Sequence, residues 1–134
     1  MTTYTDTDIM MIGHLAKDRN VVDSHAETES GGGVYFGSVA LRRLGVSVSI
    51  VTRLHPDDFP RLEELKQEGV QVFATPAPET SGIENRYSSA DMERRICKPL
   101  GFAGRKGRSL LRRRIPPVLV SGANVEGVFD SDVR

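Results

Sequence analysis

Asp18, the run Gly31-Gly32-Gly33 and Phe36 have the residue types and spacing to surround a small polar molecule. An ionised carboxylate accepts hydrogen bonds from neighbouring hydroxyl groups, and these bonds are stronger than neutral ones. Glycines lack a Cβ, so their backbone N–H groups can approach a ligand that other residues would hold off. Phe36 adds an aromatic face, and Tyr35, Asn85 and Arg86 are further residues suited to a pocket wall. Plainer readings stand beside these. Asp18, between Lys17 and Arg19, also fits a solvated turn. The glycine run also fits a flexible connection, and Arg86 a solvated hairpin. No Lys or Arg flanks the glycines, which disfavours a phosphate loop there. His14 follows Gly13 at a strand end, within reach of a ligand. His14, His25, His55 and Cys97 show no metal-ligand spacing, so no metal site is expected.

The apolar run Ile9-Met10-Met11-Ile12 ends at Gly13 and predicts a buried strand, with a turn from His14 to Asp18 at its carboxyl end. Val21-Val22 suggests a second strand, closed by a polar stretch from Asp23 to Ser30. Gly37, Ala40, Leu41 and Leu44 recur at helical spacing, and Gly45 sits where a helix-ending glycine belongs. Val46 to Val51 predicts the next strand. Asp57 or Asp58 is the expected cap of a second helix with Pro60 in its first turn and Gly69 at its end. Val70, Val72 and Phe73 follow as a strand. Strands alternating with helices indicate an α/β fold with a largely parallel sheet. Residues 82–97 read as a polar hairpin with Asp91 and Glu93 at its turn and Cys97 packed within it. Val118-Leu119-Val120 is a last short strand.

Composition narrows the function classes. The 134 residues are 38% hydrophobic and 27% charged, as ordinary globular chains are. The absence of Trp and an aromatic content of 6% disfavour a base-stacking surface, so no nucleic-acid partner is expected. No apolar run is long enough to span a bilayer, and the acidic start, Asp6 and Asp8, does not resemble a secretory signal. One cysteine fits a reducing, cytoplasmic setting. The net charge of zero conceals a break: residues 1–104 carry an acidic excess, whereas 105–114 hold Arg105, Lys106, Arg108, Arg112, Arg113 and Arg114.

The segment Gly31 to Gly45, with its glycine run, small-residue helix and Arg42-Arg43-Leu44-Gly45 ending, resembles the N-terminal signature of the ribokinase-like (PfkB) carbohydrate kinases. Gly13 followed by Asp18 resembles that family's first strand and sugar-binding aspartate. Thr80-Ser81, leading to Asp91-Met92-Glu93-Arg94, resembles its hairpin strand and turn. The resemblance covers about residues 8–104. It implies an incomplete ribokinase-like doubly wound α/β sheet with a small β-hairpin lid at 82–97. It also implies that Asp18, Gly31, Gly32, Gly33 and Phe36 bind a sugar or polyol. At Phe36 many members carry an asparagine that bonds the sugar, so a less polar or stacking contact is implied here.

In this family a substrate hydroxyl attacks the γ-phosphate of ATP with Mg²⁺, and the base is the aspartate of a Gly-Ala-Gly-Asp loop. The string Gly122-Ala123-Asn124-Val125 lacks that aspartate, and no Walker-type loop can be written. The expectation is therefore a truncated carbohydrate kinase, 1–104 being its N-terminal sugar-binding part, with no catalytic residue and no cofactor site of its own. A basic, poorly patterned tail at 105–134 is expected, its residues joined by a truncated or shifted reading frame. The alternative is a non-catalytic sugar-binding or dimerisation module that pairs with a second copy through its lid hairpin.

Overall fold

The structure, a computed structural model, describes residues 7–104 and 118–120. Strands β1 (Ile9–Ile12), β4 (Val48–Leu54), β5 (Gln71–Pro76) and β8 (Val118–Val120) form a four-stranded sheet in the order β5-β4-β1-β8. All its pairings are parallel. Met10, Met11 and Ile12 are 0–2% exposed, so successive residues on both faces of β1 are buried. That is why this strand reads as a continuous apolar run rather than an alternating one.

Helices α1 (Gly33–Arg43) and α2 (Leu62–Gln67) pack on one face. Val34, Leu62 and Leu65 meet Met11, Val48, Ile50 and Leu54 in a single apolar cluster. Each large side chain withdrawn from water there contributes roughly 1.5–3 kcal/mol. Both helices end as the glycines predict. Gly45 and Gly69 take positive φ, and the following Val46 and Val70 donate back to Leu41 and Leu65. This 6→1 bond is the Schellman ending, open to glycine at no steric cost.

The buried face of α1 differs from the expected stripe. Val34 and Ser38 are buried, whereas Leu44 is 78% exposed and Ala40 also faces solvent. Gly37 does allow close packing, because the Met11 side chain occupies the space a Cβ would need. The second helix is also split: a 3-10 turn, Pro56–Arg61, precedes α2. Its cap is His55, whose Nδ1 accepts from the Asp57 N–H, rather than Asp57 or Asp58.

A second sheet stands on this body in the order β3-β2-β6-β7. It comprises β2 (Ala16–Val22), β3 (His25–Gly31), β6 (Gly82–Ser88) and β7 (Asp91–Gly101). The expected lid hairpin is thus half of a four-stranded lid. The polar stretch 23–30 is largely strand β3, and the expected turn from His14 to Asp18 gives way to β2 from Ala16 onward. Cys97 is exposed on β7 rather than packed. The basic run 105–114 and Gly122 to Val125 lie outside the described residues.

Candidate functional site

The lid is joined to the body at the carboxyl ends of β1 and β4. Leu15 N–H donates to the buried Thr52 Oγ1 (2.8 Å), fixing the exit of the chain from β1. Ser81 Oγ bonds His14 Nδ1 (2.9 Å) and accepts from the Ala103 N–H, while His14 Nε2 bonds the Gly104 carbonyl (2.8 Å). That carbonyl can only accept, so Nε2 carries a proton.

Beside this contact Lys17 Nζ donates to both oxygens of Asp58 (3.0 and 3.2 Å), and Thr80 Oγ1 donates to Asp58 Oδ2 (2.6 Å). Burial alone would raise the Asp58 pKa, but Thr80, Lys17 and Arg61 outweigh it and hold the carboxyl below its ordinary value. A carboxyl lowered by folding stabilises the protein above its unfolded-state pKa, and the gain is lost as pH falls through the folded value. Thermal unfolding followed from pH 7 downward is expected to show stability falling below about pH 4. Asp58→Asn should flatten part of that acid limb. An unchanged slope would exclude a contribution from this cluster.

Asp18 lies within β2, not at a turn. Its Oδ1 accepts from the Ile83 N–H across the β2–β6 seam (3.0 Å), and among the described residues Oδ2 has no partner. Gly31 sits alongside, and a Cβ there would collide with Asp18 Oδ2. Phe36 Cε2 is 3.8 Å from the same point, and the ring is 64% exposed. Tyr35 packs edge-on against it at 5.2 Å. Asp18, Gly31 and Phe36 are therefore neighbours. Gly32 follows and takes φ 92, ψ 160, with its missing Cβ facing the His14 carbonyl and the Ala16 backbone nitrogen. Gly33 begins α1 and is exposed. The chain's own Asp18 carboxylate and His14–Ala16 backbone thus already require glycine at 31 and 32.

The remaining candidates separate. Asn85 joins Asp18's face of the lid through a bond from its Nδ2 to Asn20 Oδ1 (3.0 Å). Tyr35 donates its hydroxyl to Glu64 Oε2 (2.8 Å), which pushes the phenol pKa up. Arg86 lies on the opposite lid face, where it, Arg19 and Lys98 surround the buried Glu84 at 2.6, 2.8 and 3.4 Å. The Arg86 bond, with help from Arg19 and Lys98, holds the Glu84 carboxyl below its usual range despite burial. Sequence reasoning read Asp58 as a cap and passed over Lys17. Two oppositely charged residues 41 positions apart carry no local signature of their pairing.

Among the described residues no group of three His, Cys, Asp or Glu side chains converges on a metal position.

An open parallel sheet, with polar groups gathered at its carboxyl ends under a small second sheet, defines an α/β protein of the class that binds small molecules at that edge. No family model matches the chain, and no curated protein matches it. Solved structures do. A pyrophosphate-dependent kinase of the ribokinase family, in a sulfate complex, is 34% identical with a TM-score of 0.74; the match covers 84% of this chain and 40% of that one. A pyrophosphate-dependent ribokinase-family kinase, complexed with a pyrophosphate analogue and myo-inositol, is 32% identical with a TM-score of 0.71, covering 84% and 39%. A nucleoside kinase from Burkholderia thailandensis, bound to inosine, shares the fold at 17% identity and a TM-score of 0.60, covering 71% and 37%. The chain adopts part of a ribokinase-like (PfkB) fold. It spans about 40% of the length of the first two solved chains.

Proposed function

We propose that this chain forms the sugar- or polyol-binding part of a ribokinase-like phosphotransferase. The observation that carries the reading is the Asp18 carboxylate, anchored through Oδ1 and, among the described residues, unpartnered at Oδ2, beside Gly31 and the exposed Phe36 ring. One oxygen fixes the group, and the other is available to a ligand hydroxyl. Phe36 offers an apolar surface for the C–H face of a ring. Gly32 and Gly33 complete the wall through their backbone.

The likeness to a kinase complexed with myo-inositol supports a polyhydroxylated substrate. In such a reaction Asp18 holds and orients the acceptor. No helix among the described residues is long and apolar enough to cross a membrane. A cytoplasmic setting belongs to the proposal, supported by an exposed Cys97 that is the chain's one cysteine.

The test is calorimetric titration of the chain with myo-inositol and D-ribose. Asp18→Asn is expected to weaken binding roughly 10- to 100-fold, as loss of a charge-assisted bond does. Equal binding by both proteins would sink the reading.

A second reading, a lid-mediated dimer, draws on the two lid edges. Strand β3 carries Glu27 and Glu29, whereas β7 carries Arg94, Arg95 and Lys98, so the edges of two copies are complementary. A chain that sediments as a salt-sensitive dimer and binds no polyol favours it.

A further inference from the structure

We infer that the lid carries a second binding site on the face turned away from Asp18, and that this site takes a phosphate monoester with a flat apolar body. The inference does not depend on the polyol reading.

Side chains alternate across the lid. The register puts Arg19, Val21, Glu84 and Arg86 on one face and Asp18, Asn20 and Asn85 on the other. Arg86 also pairs with Ile96 on β7, so Val21, Arg86 and Ile96 form one row across three strands. Arg94 lies two residues from Ile96, on the same face. Beside this row is a cavity of about 440 Å³ whose walls include Val21, Arg86, Arg94, Ile96, Asp23 and Asp91. That is room for a small organic molecule.

Charge on this face is unbalanced. The buried Glu84 meets Arg86, Arg19 and Lys98, three cations to one carboxylate. It engages Arg86 through Nε (2.6 Å), and among the described residues the two terminal nitrogens of that guanidinium have no partner. Arg94 is exposed and, among the described residues, forms no ion pair. Two guanidiniums with spare donors in one cavity wall suit an anion. A phosphate monoester has three oxygens to share between two forks, whereas a carboxylate's pair is filled by one.

The other walls define the rest of the ligand. Val21 is 4% exposed and supplies an apolar patch, while Ile96 stands 66% exposed among charges. A ring lying against them removes apolar surface from water, which inorganic phosphate cannot do. Asp23 and Asp91 each use Oδ1 to hold a backbone N–H, of Ser89 (3.1 Å) and Glu93 (3.2 Å). Their charge remains in the cavity wall, where it repels a longer phosphate chain.

The test is calorimetric titration of the 134-residue chain with phenyl phosphate, inorganic phosphate, benzoate and tripolyphosphate. Phenyl phosphate is expected to bind at least about tenfold more tightly than each of the others. Arg94→Gln should weaken phenyl phosphate about tenfold, as loss of a charge-assisted bond does, and leave the unfolding temperature unchanged. Ile96→Ser should bring phenyl phosphate to within about threefold of inorganic phosphate. The basic run 105–114 attracts any phosphate without regard to its ring. Equal binding of phenyl and inorganic phosphate, or of phenyl phosphate by Arg94→Gln and wild type, therefore overturns the inference. So does a chain that pairs with a second copy through this face and binds no phenyl phosphate. Asp18→Asn should keep its phenyl phosphate affinity, and a loss there would equally sink a separate site.

Discussion

Gly32→Ala is expected to destabilise the folded chain by about 3 kcal/mol or more, through strain and steric conflict together. The backbone at Gly32 has φ 92 and ψ 160, in a region that residues with a side chain scarcely visit. Forcing alanine there costs of order 1–3 kcal/mol. The added methyl would also press on the His14 carbonyl and the Ala16 backbone nitrogen, which cannot swing aside as a side chain can. Overpacking of that kind typically adds another 1–3 kcal/mol. Against a total stability of about 5–15 kcal/mol the loss is severe. A drop in unfolding temperature on the order of 10 °C should be seen in a calorimetric scan. A variant that melts with the wild type would show that this junction relaxes freely.

Gly82→Ala should act on the lid rather than on the junction. A Cβ at Gly82 would collide with the Lys17 carbonyl, so β2 and β6 could not keep their spacing. The Lys17 N–H to Ser81 carbonyl bond (2.8 Å) lies next to the collision and would be strained with it. The expected cost is about 2–3 kcal/mol. It should be accompanied by faster amide exchange along β6 and β7 while β1 and β4 keep their protection, because the apolar cluster lies in the other sheet. Uniform loss of protection in both sheets would contradict this separation.

The body of the protein was the readable part. Ile9 to Ile12 announce a strand buried on both faces, and Gly45 and Gly69 mark the ends of α1 and α2. Each signal is local, produced by a few adjacent residues meeting one environment. The lid was not readable in this way. His25-Ala26-Glu27-Thr28-Glu29 is exposed at every position, so β3 has no buried face to impose alternation, and it reads as loop. Lys17, Asp18, Arg19 and Asn20 hide β2 similarly, since their partners are charges and amides. The stripe on α1 was misjudged because Leu44 follows the helix's last turn and points to solvent.

At the candidate site, Asp18 is singled out by its chemical type and by resemblance. What it pairs with, and why Gly31 must lack a side chain beside it, depends on strand register. The Asn85–Asn20 bond escaped for the same reason. Register between distant strands leaves no trace in the spacing of a single sequence.

The parallel seam between β2 and β6 also dictates an order of events. Hairpins β2–β3 and β6–β7 close between near neighbours, on a scale of about 1–10 microseconds. Arg19 and Glu84, which face each other across the seam, are 65 residues apart. Closing so long a loop from an unstructured chain carries an entropy cost that local hairpins avoid. The intervening β4, α2 and β5 must first condense and bring Leu15 and Ser81 to the same edge. The surface carrying Asp18, Asn20 and Asn85 is thus expected to assemble last, after the body has formed.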